Sequence, residues 1–511
     1  MARLLAPRIE MLATLRTAAV LGVDACAVQV EVDVAFGLPG FTMVGLPDAS
    51  VRESRDRVRS AIRNSGFEFP PHRITVNLAP ADVRKAGASF DLPIALGILA
   101  ATGIVERRVI ADLVVLGELS LDGAIQSSRG VLPIAAAARR EGLSGLVLPL
   151  ANAGEASIVS GLNVYAVRSL ADAVQALNHP TTVTTPSPTA PAAWTVTSDL
   201  AEVRGQPLAR RALEVACAGE HNLLLVGPPG AGKTMMARRM AGILPPMTFD
   251  EAIEVTSIHS VAGLIPAGAG LVSARPFRAP HHTISNIALI GGGTNPRPGE
   301  VSLAHHGVLF LDEMLEFQRG VLEVLRQPLE EGAVTIARAV RSVSFPARFV
   351  LVGAMNPCPC GFAGSPDREC RCTPVQIDRY HSRLSGPLRD RLDLAVEVPA
   401  VPPDVLGQTA EGESSSAVRA RVIAARDRQR QRYADANVTA NARLTPLLLG
   451  RHCRLDADST RLLSTAVRRL GLSARGYERV RKVARTIADL AGADGVTAEH
   501  VAEALQFRMV S

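Results

Sequence analysis

The segment GPPGAGKT at 227–234 constrains the fold of this chain more than any other stretch of its sequence. It fits the pattern G-x-x-x-x-G-K-[ST], in which glycines let backbone N–H groups turn inward around phosphates. The apolar run LLLV at 223–226 predicts a strand before it, and a helix is expected to start near Lys233. A helix N-terminus adds positive potential at a bound phosphate. A strand, a glycine-rich loop and a helix in this order predict an α/β fold that binds a nucleotide.

Each residue of this loop has an expected task. Lys233 should reach the β and γ phosphates of ATP, and Thr234 offers its hydroxyl to Mg²⁺. The sequence has only three lysines and many arginines, so a compact point charge has been kept at position 233. We expect the whole loop to cradle ATP, that is Gly227, Pro228, Pro229, Gly230, Ala231, Gly232, Lys233 and Thr234.

Two further apolar runs end in polar residues. GVLFLDE at 307–313 delivers Asp312 and Glu313, and FVLVGAMN at 349–356 delivers Asn356. Ligands of open α/β sheets bind at the carboxyl ends of the strands. We therefore expect Asp312 to hold Mg²⁺ through water and Glu313 to orient and deprotonate the attacking water, with the Asn356 amide holding that water. Short continuous apolar runs are typical of strands that are covered on both faces of a parallel sheet.

Two arginines could complete a phosphoryl-transfer site, which needs positioning and charge neutralisation rather than covalent chemistry. Arg391, in SGPLRDRLD at 385–393, could enter the site of a neighbouring subunit. Arg475, in SARGYERV at 473–480, could touch the nucleotide of its own subunit. The alternative for either residue is a solvated surface cation.

The pattern of apolar residues divides the chain into four parts. AVQVEVDVAF at 27–36 alternates, with its valines and Phe36 on one face, as in a half-buried strand. Ser50 can cap a helix over 51–64. Near the C-terminus, Gly471 should stop a helix on which Leu463, Val467 and Leu470 share a face. The predicted parts are an α+β domain at 1–175, a Pro/Thr-rich linker at 176–198, an ATPase core at 199–404 with a cysteine loop at 358–372, and a helical lid at 405–511.

The cysteine loop has the pattern C-x-C-x₉-C-x-C, formed by Cys358, Cys360, Cys370 and Cys372. Four thiolates can close a tetrahedral structural zinc site. The spacing within each pair is tighter than the usual C-x₂₋₄-C, so four reduced loop cysteines or two labile disulfides remain as alternatives.

The sequence lacks the features of an exported or membrane protein. No apolar run approaches the ~20 residues that cross a bilayer, and Arg8, Glu10 and Arg16 interrupt the N-terminal apolar stretch. We expect a cytoplasmic protein with no membrane partner.

A formal net charge of +6 permits nucleic-acid binding without demonstrating it. Two basic loops, at 275–282 and 337–343, could line a pore and grip backbone phosphate without reading bases. The alternative is that their arginines brace subunit interfaces. The candidate DNA contacts in these loops are Arg275, Arg278, Arg338 and Arg341.

The order GPPGAGKT, VLFLDE, AMNPCPCG and SGPLRDRLDL closely resembles the magnesium-chelatase-like branch of AAA+ ATPases. From about residue 11 to 508 the chain resembles the ComM (YifB) family, most clearly at 36–62, 275–285 and 291–313. The resemblance implies an AAA+ P-loop core with a C-terminal helical lid. It also implies a hexameric ring that drives branch migration during natural transformation and recombination, with branched or single-stranded DNA as partner.

The resemblance also assigns site residues. It implies that Asn356 is the sensor-1 residue, Arg391 the arginine finger and Arg475 the sensor-2 arginine. Two departures stand out: His306 occupies a position where many relatives are expected to have asparagine, and residues 1–10 precede the usual family start, so that Met11 would suit as the initiator.

The N-terminal domain of this family is Lon-protease-like, and GASFDLPIALGILAATG at 87–103 resembles the stretch that carries the protease nucleophile. Ala88 aligns with the serine, with Ser89 one place away, and Leu132 lies near the lysine position. Without a Ser–Lys pair no nucleophile is activated. We therefore expect no proteolysis, and a DNA-binding or assembly module instead.

An alternative function is a magnesium-chelatase motor subunit, which would couple ATP to Mg²⁺ insertion into a porphyrin. The ATPase core alone is compatible with both. The N-terminal domain and the cysteine loop favour the DNA motor.

Overall fold

The structure is a computed structural model, and it describes residues 11–81, 85, 87–179, 198–293, 296–337, 342–364, 368–402, 412–436 and 438–508. A seven-stranded sheet lies in the N-terminal part and a five-stranded sheet in the middle part. Within the described residues, no helix is both long enough and apolar enough to cross a bilayer.

The N-terminal domain is a mixed sheet with a small additional hairpin. Its strands are β1 (Leu12–Leu21), β2 (Asp24–Ala35), β3 (Gly40–Val44), β4 (Arg73–Ala79), β5 (Leu113–Val115), β6 (Glu118–Leu119), β7 (Ile125–Gln126), β8 (Gly145–Pro149) and β9 (Asn163–Val167). The sheet order is β3-β4-β2-β1-β5-β8-β9, and β6 pairs with β7. Strands β1 and β2 form an antiparallel hairpin, whereas β5, β8 and β9 are parallel.

Six helices accompany this sheet: α1 (Ala49–Asn64), α2 (Asp91–Ala101), α3 (Arg107–Ile110), α4 (Val131–Arg140), α5 (Ala153–Ala156) and α6 (Leu170–Asn178). Every residue of α2 is buried. Its first residue, Asp91, has a fully buried carboxylate that accepts two hydrogen bonds from Arg57 of α1, at 2.7 and 3.0 Å. This pair satisfies the charge inside the core and ties α1 to α2.

The structure confirms the alternating strand, since the four valines of β2 at positions 28, 30, 32 and 34 are buried. Phe36 lies beyond the strand end and is 83% exposed, so its predicted burial is wrong. Helix α1 is confirmed, but Asp48 rather than Ser50 caps it, by accepting the N–H of Val51. Helix α6 runs to Asn178, three residues past the predicted domain end, and residues 180–197 of the predicted linker lie outside the described residues.

The middle part contains the parallel sheet and two small hairpins. Its strands are β10 (Leu223–Val226), β11 (Phe277–Arg278), β12 (Gly291–Gly292), β13 (Arg297–Pro298), β14 (Val308–Leu311), β15 (Ala333–Ala337), β16 (Ser342–Pro346), β17 (Val350–Met355) and β18 (Leu394–Glu397). The five-stranded order is β11-β14-β17-β10-β18, and every pairing in it is parallel. The three apolar runs are its buried strands β10, β14 and β17, as predicted.

Helices cover both faces of the parallel sheet: α7 (Pro207–Gly219), α8 (Lys233–Ile243), α9 (Phe249–Ala262), α10 (Asn286–Ile290), α11 (Glu300–Leu303), α12 (Arg319–Glu323), α13 (Arg326–Glu331), α14 (Pro374–His381) and α15 (Gly386–Arg389). The C-terminal part is helical: α16 (Ser415–Arg432), α17 (Pro446–His452), α18 (Ala457–Leu470), α19 (Ala474–Leu490) and α20 (Ala498–Gln506). The α/β core with a helical C-terminal region is therefore confirmed.

One continuous apolar core joins the parallel sheet to the C-terminal helices. It includes Leu213 of α7, Val352 of β17 and Val483 of α19, all buried. Gly471 ends α18 in the left-handed conformation at φ 60°, as predicted. Leu463 of the predicted face is buried, whereas Leu470, the last residue of the helix, is 43% exposed.

The N-terminal domain contacts the core through α4 and α9. The N–H of Gly130 donates to the carbonyl of Ser260 at 3.3 Å, and the N–H of Gly268 donates to the carbonyl of Ala151 at 2.8 Å. Leu132, at the position expected for a protease lysine, is buried, and its N–H donates to the Glu155 carboxylate at 2.8 Å.

Candidate functional site

The glycines of the phosphate loop are required by its backbone. Gly230 and Gly232 have φ values of 79° and 87°, where side chains other than glycine are strained. A Cβ added at Gly227 would lie 2.1 Å from the Val398 carbonyl oxygen, so the end of β18 packs directly against the loop. Gly232 caps α8, whose first residue is Lys233. The loop therefore presents a helix N-terminus and a lysine to the same space.

The Lys233 ammonium is buried and has three acceptors. It donates to the carbonyls of Gly227 at 2.6 Å and Pro228 at 2.9 Å, and to Oδ1 of Asn356 at 3.1 Å. Burial lowers the pKa of Lys233, and the two carboxylates at the end of β14 oppose this shift. The bond to Asn356 joins the loop after β10 to the end of β17.

The carboxylates that follow β14 face the loop. The Thr234 hydroxyl donates to Oδ2 of Asp312 at 2.6 Å. Glu313 has a left-handed φ of 50°, which is uncommon for a residue other than glycine, and its side chain is 60% exposed. Its carboxylate oxygen lies 3.7 Å from Nδ1 of His282. Strained backbone at a strand end of this kind clusters at functional sites.

These residues fit MgATP. The adjacent Thr234 hydroxyl and Asp312 carboxylate offer the hard oxygen ligands that Mg²⁺ takes, in a position next to a helix N-terminus. Lys233 supplies a buried positive charge beside them. The structure thus brings together five of the predicted site residues: Lys233, Thr234, Asp312, Glu313 and Asn356.

Arg391 lies near the amino end of β10, opposite to the phosphate loop. Its backbone carbonyl accepts from the side chain of Asn222, the residue that precedes β10, at 2.8 Å, whereas the phosphate loop follows β10. The guanidinium is 9% exposed, pairs with Glu330 and donates to the Pro387 carbonyl at 2.6 Å. Its Nε is buried and has no partner among the described residues.

Arg475 lies beside Arg391. Both line a cavity of about 180 Å³, together with Glu330, Arg479 and Lys482. The Arg475 side chain is 62% exposed and lies 4.0 Å from Asp390. Arg479, on the same helix, pairs with Asp393 at 3.3 Å, next to the amino end of β10. Arg391 and Arg475 therefore lie near the amino end of β10, whereas the phosphate loop follows its carboxyl end. Among the described residues, no hydrogen bond or ion pair joins Arg475 to the phosphate loop of its own chain.

The prediction that Arg275 grips DNA is wrong. Its guanidinium is buried, pairs with Glu251 at 2.7 Å, and donates to the carbonyls of Pro245 and His306 at 2.7 Å each. Arg278 is half-buried, and it bonds both carboxylate oxygens of Glu300, at 2.6 and 2.8 Å. Both guanidinium groups are thus engaged by acceptors of their own chain. Arg338 and Arg341, the other candidate DNA contacts, lie outside the described residues, between the paired strands β15 and β16.

His306 has a left-handed φ of 55°, a conformation in which asparagine is enriched. This explains why asparagine is expected there in relatives. The histidine ring reaches Glu254 of α9 at 2.9 Å, and the Glu254 carboxylate also contacts the buried ring of His305 at 2.8 Å. Burial lowers the pKa of His305 to about 4. Nδ1 of His305 accepts the N–H of Arg348, so Nε2 carries the proton towards Glu254 and is not free to bind a metal.

The four cysteines of the 358–372 loop converge. Their Sγ atoms all lie within 4.8 Å of one another, with separations of 3.3 Å for Cys358–Cys360 and 3.6 Å from each of these to Cys370. All are free thiols. The backbone N–H groups of nearby residues lower the pKa of Cys360 to about 6, whereas burial and the neighbouring thiols raise the pKa of Cys370 and Cys372. A zinc–sulfur distance of ~2.3 Å requires tetrahedron edges of roughly 3.8 Å, so the cluster fits a zinc ion.

Three residues next to the site were missed by sequence reasoning. Gln206, in a left-handed conformation at φ 59°, donates to the carbonyls of Ala231 and Pro399 at 3.4 and 2.5 Å and so braces the phosphate loop. His282 faces Glu313 and belongs to a motif that was interpreted as a DNA loop. Gly361 packs on Pro229. In the sequence, only the glycine that directly follows the second cysteine could have indicated this contact.

Comparison with known proteins identifies the parts of the chain. The family model for the magnesium chelatase subunit ChlI matches residues 199–406, the model for subunit ChlI of Mg-chelatase matches 30–152, and the model for the C-terminal part of subunit ChlI matches 412–508. These matches cover the parallel-sheet core, most of the N-terminal sheet and the C-terminal helices, respectively.

Two known proteins are similar to this chain over nearly its full length, and a third is similar over a smaller part. The competence protein ComM of Haemophilus influenzae is 46% identical over 506 residues, which is 97% of both chains. The uncharacterized protein YifB of Salmonella typhimurium is 45% identical over 507 residues, which is 98% of this chain and 97% of the relative. The 38 kDa magnesium-chelatase subunit of Rhodobacter capsulatus is 28% identical over 155 residues, covering 27% of this chain and 44% of the relative.

Proposed function

Because this chain belongs to the ComM and YifB family of magnesium-chelatase-like AAA+ ATPases, we propose that it is a ring-forming DNA motor that drives branch migration. The observation that carries this proposal is the division of the catalytic groups between the two ends of β10. The phosphate loop, Asp312 and Asn356 lie at the carboxyl ends of the strands, whereas Arg391 and Arg475 lie at the amino end. Such a core is complete only when a second copy supplies the arginines.

The residues at the carboxyl ends would carry out hydrolysis. Lys233 would turn its ammonium from the loop carbonyls to the β and γ phosphates, and Thr234 and Asp312 would hold Mg²⁺. When bound, Mg²⁺ neutralises charge on the phosphates. Glu313 would accept a proton from the attacking water, and Asn356, held by Lys233, would orient that water.

The arginines at the amino end would act on the site of a neighbouring copy. A head-to-tail interface that repeats with a closing rotation generates a ring. In such a ring Arg391 and Arg475 would face the phosphates bound by the next subunit, and the family implies a hexamer.

Three observations support DNA as the substrate that is moved. The relative from Haemophilus influenzae is named a competence protein. The chain has a net charge of +6. Helix α1 exposes arginines on one face, at the helical spacing of positions 52, 55, 59 and 63, where they can meet backbone phosphate. We place this activity in the cytoplasm, where thiols such as the seven of this chain stay reduced.

DNA should bind with little sequence preference and stimulate ATP hydrolysis. Counterion release requires the affinity to fall steeply between low and physiological salt. Replacing Arg338 and Arg341 together by alanine should lower the DNA stimulation by about tenfold and leave basal hydrolysis intact, since neither belongs to the phosphate site. Hydrolysis would be measured with and without single-stranded and branched DNA.

A matched control replaces Arg468 and Arg469, two exposed arginines of α18, and should leave the stimulation unchanged. The DNA proposal would be abandoned if hydrolysis ignored every DNA form and no binding occurred at low salt. The chelatase-type motor would then take its place, since the three matching family models all describe a chelatase subunit.

We also propose that the four-cysteine loop holds a structural zinc ion. The mutual approach of four thiols supports this, as do the N–H groups of Ala363 and Cys360, which donate to Sγ of Cys358 and Cys372 at 3.3 and 3.4 Å. Such bonds stabilise thiolates, the form that binds metal.

A further inference from the structure

The cysteine loop touches the phosphate loop at one glycine. Gly361 follows Cys360 and has a left-handed φ of +87°. A Cβ added there would lie 2.6 Å from Cδ of Pro229 and 3.8 Å from Cγ of Asn356. The backbone of the cysteine loop therefore packs on the loop that binds the phosphates, with no room for a larger residue.

A second connection runs through the chain itself. Asn356, which accepts from Lys233, is separated from the buried Cys358 by a single residue, Pro357. The carbonyl of Pro357 accepts from His381 at 2.9 Å, and the carbonyl of Cys358 accepts the N–H of Gly361 at 2.9 Å. The position of Asn356 thus depends on β17 on one side and on the cysteine cluster on the other.

We propose that metal occupancy of the four-cysteine site controls nucleotide binding through Gly361 and Asn356. This inference rests on the zinc and ATP sites proposed above. A metal bonded to all four thiolates fixes the ends of the 358–372 loop, which contains no α-helix or β-strand among its described residues. With the metal bound, Gly361 holds Pro229 in place and Asn356 keeps its bond to Lys233. Without it, both contacts lose their support.

The coupling must act in both directions. If zinc strengthens nucleotide binding by a given factor, the nucleotide strengthens zinc binding by the same factor. Bound nucleotide should therefore raise the chelator concentration that removes half of the zinc at equilibrium. A purely structural zinc, one that stabilises its own loop alone, would show no such dependence.

The chain offers a matched pair of glycines for the test. Gly364 lies in the same loop with φ +73°, but a Cβ added there meets nothing within 4 Å. It lines an open cleft of about 800 Å³ that is also lined by Gly227 and Pro228 of the phosphate loop and by the start of α19. Alanine at either position must adopt a left-handed φ, and only Gly361→Ala also presses on Pro229.

The experiment measures equilibrium binding of a fluorescent ATP analogue to the full-length protein without DNA, and zinc by elemental analysis. Wild type and both variants should contain about one zinc per chain. Gly361→Ala should weaken nucleotide binding by about tenfold, whereas Gly364→Ala should stay within about twofold of wild type. Chelation of zinc from wild type should weaken binding at least as much, and zinc re-addition should restore it.

Equal affinities for Gly361→Ala and Gly364→Ala would overturn the coupling. If Gly361→Ala does not fold, the wild-type chelation arm decides, and unchanged affinity after zinc loss overturns it. Absence of zinc from the purified protein, together with no uptake of added zinc under reducing conditions, would overturn the metal site. Because this assay contains no DNA, none of these outcomes bears on the DNA motor.

Discussion

Glu313→Gln should stop ATP turnover and leave nucleotide binding intact. The amide keeps the shape of the side chain but cannot accept a proton from the attacking water, and loss of a general base costs about 10²- to 10⁴-fold in rate. Binding should persist because the phosphate loop and the bond between Thr234 and Asp312 are untouched.

Lys233→Ala should instead weaken nucleotide binding, since the phosphates lose their cation. Steady-state hydrolysis and equilibrium binding of ATP separate the two effects.

A matched carboxylate lies one turn further on. Glu316 is 46% exposed and pairs with Arg383 at 3.1 Å, away from the phosphate loop. Glu316→Gln should hydrolyse ATP at nearly the wild-type rate. Normal turnover by Glu313→Gln would remove Glu313 from the mechanism.

Arg391→Ala should lower turnover by about 10³- to 10⁵-fold, the usual effect of losing an arginine finger. Mixtures of Arg391→Ala and Lys233→Ala chains should regain activity that neither has alone. In a mixed ring, the intact phosphate loop of one chain meets the intact arginine of the other. Hydrolysis measured across mixing ratios should pass through a maximum near equal amounts.

Arg326→Ala provides the control, because Arg326 is also an arginine of the core helices but is 44% exposed and pairs with Glu323 at 3.2 Å. It should retain turnover. If mixtures never exceed either inactive parent while both variants fold and assemble, Arg391 does not act on a neighbouring site.

Local sequence patterns predicted most of the phosphate site. Residues 223–234 form a strand, a loop and a helix within one short segment, so their geometry depends little on the rest of the chain. The strands that carry Asp312 and Asn356 follow equally from continuous apolar runs. The convergence of four cysteines within 15 residues is likewise local. Helix α1 was predictable as well, although the predicted cap, Ser50, is wrong and Asp48 caps the helix.

The remaining features depend on contacts between distant segments. Arg275 was interpreted as a DNA contact, because nothing in its own loop shows that Glu251 and two carbonyls surround it. The proximity of Arg475 to Arg391 depends on the ion pair between Arg479 of α19 and Asp393, which precedes β18. The contact between Gly361 and Pro229 joins residues more than 100 positions apart. Sequence patterns of single segments contain no information about such pairs.

The most direct test of the proposed motor is branch migration of a synthetic four-way DNA junction, followed by separation of the products. Wild type with ATP and Mg²⁺ should convert the junction to resolved duplexes. Glu313→Gln should bind the junction without converting it. Conversion should also fail when a non-hydrolysable analogue replaces ATP. A wild-type protein that hydrolyses ATP and binds the junction, yet leaves it unconverted under all conditions, would contradict the proposal that ATP hydrolysis drives DNA movement in this chain.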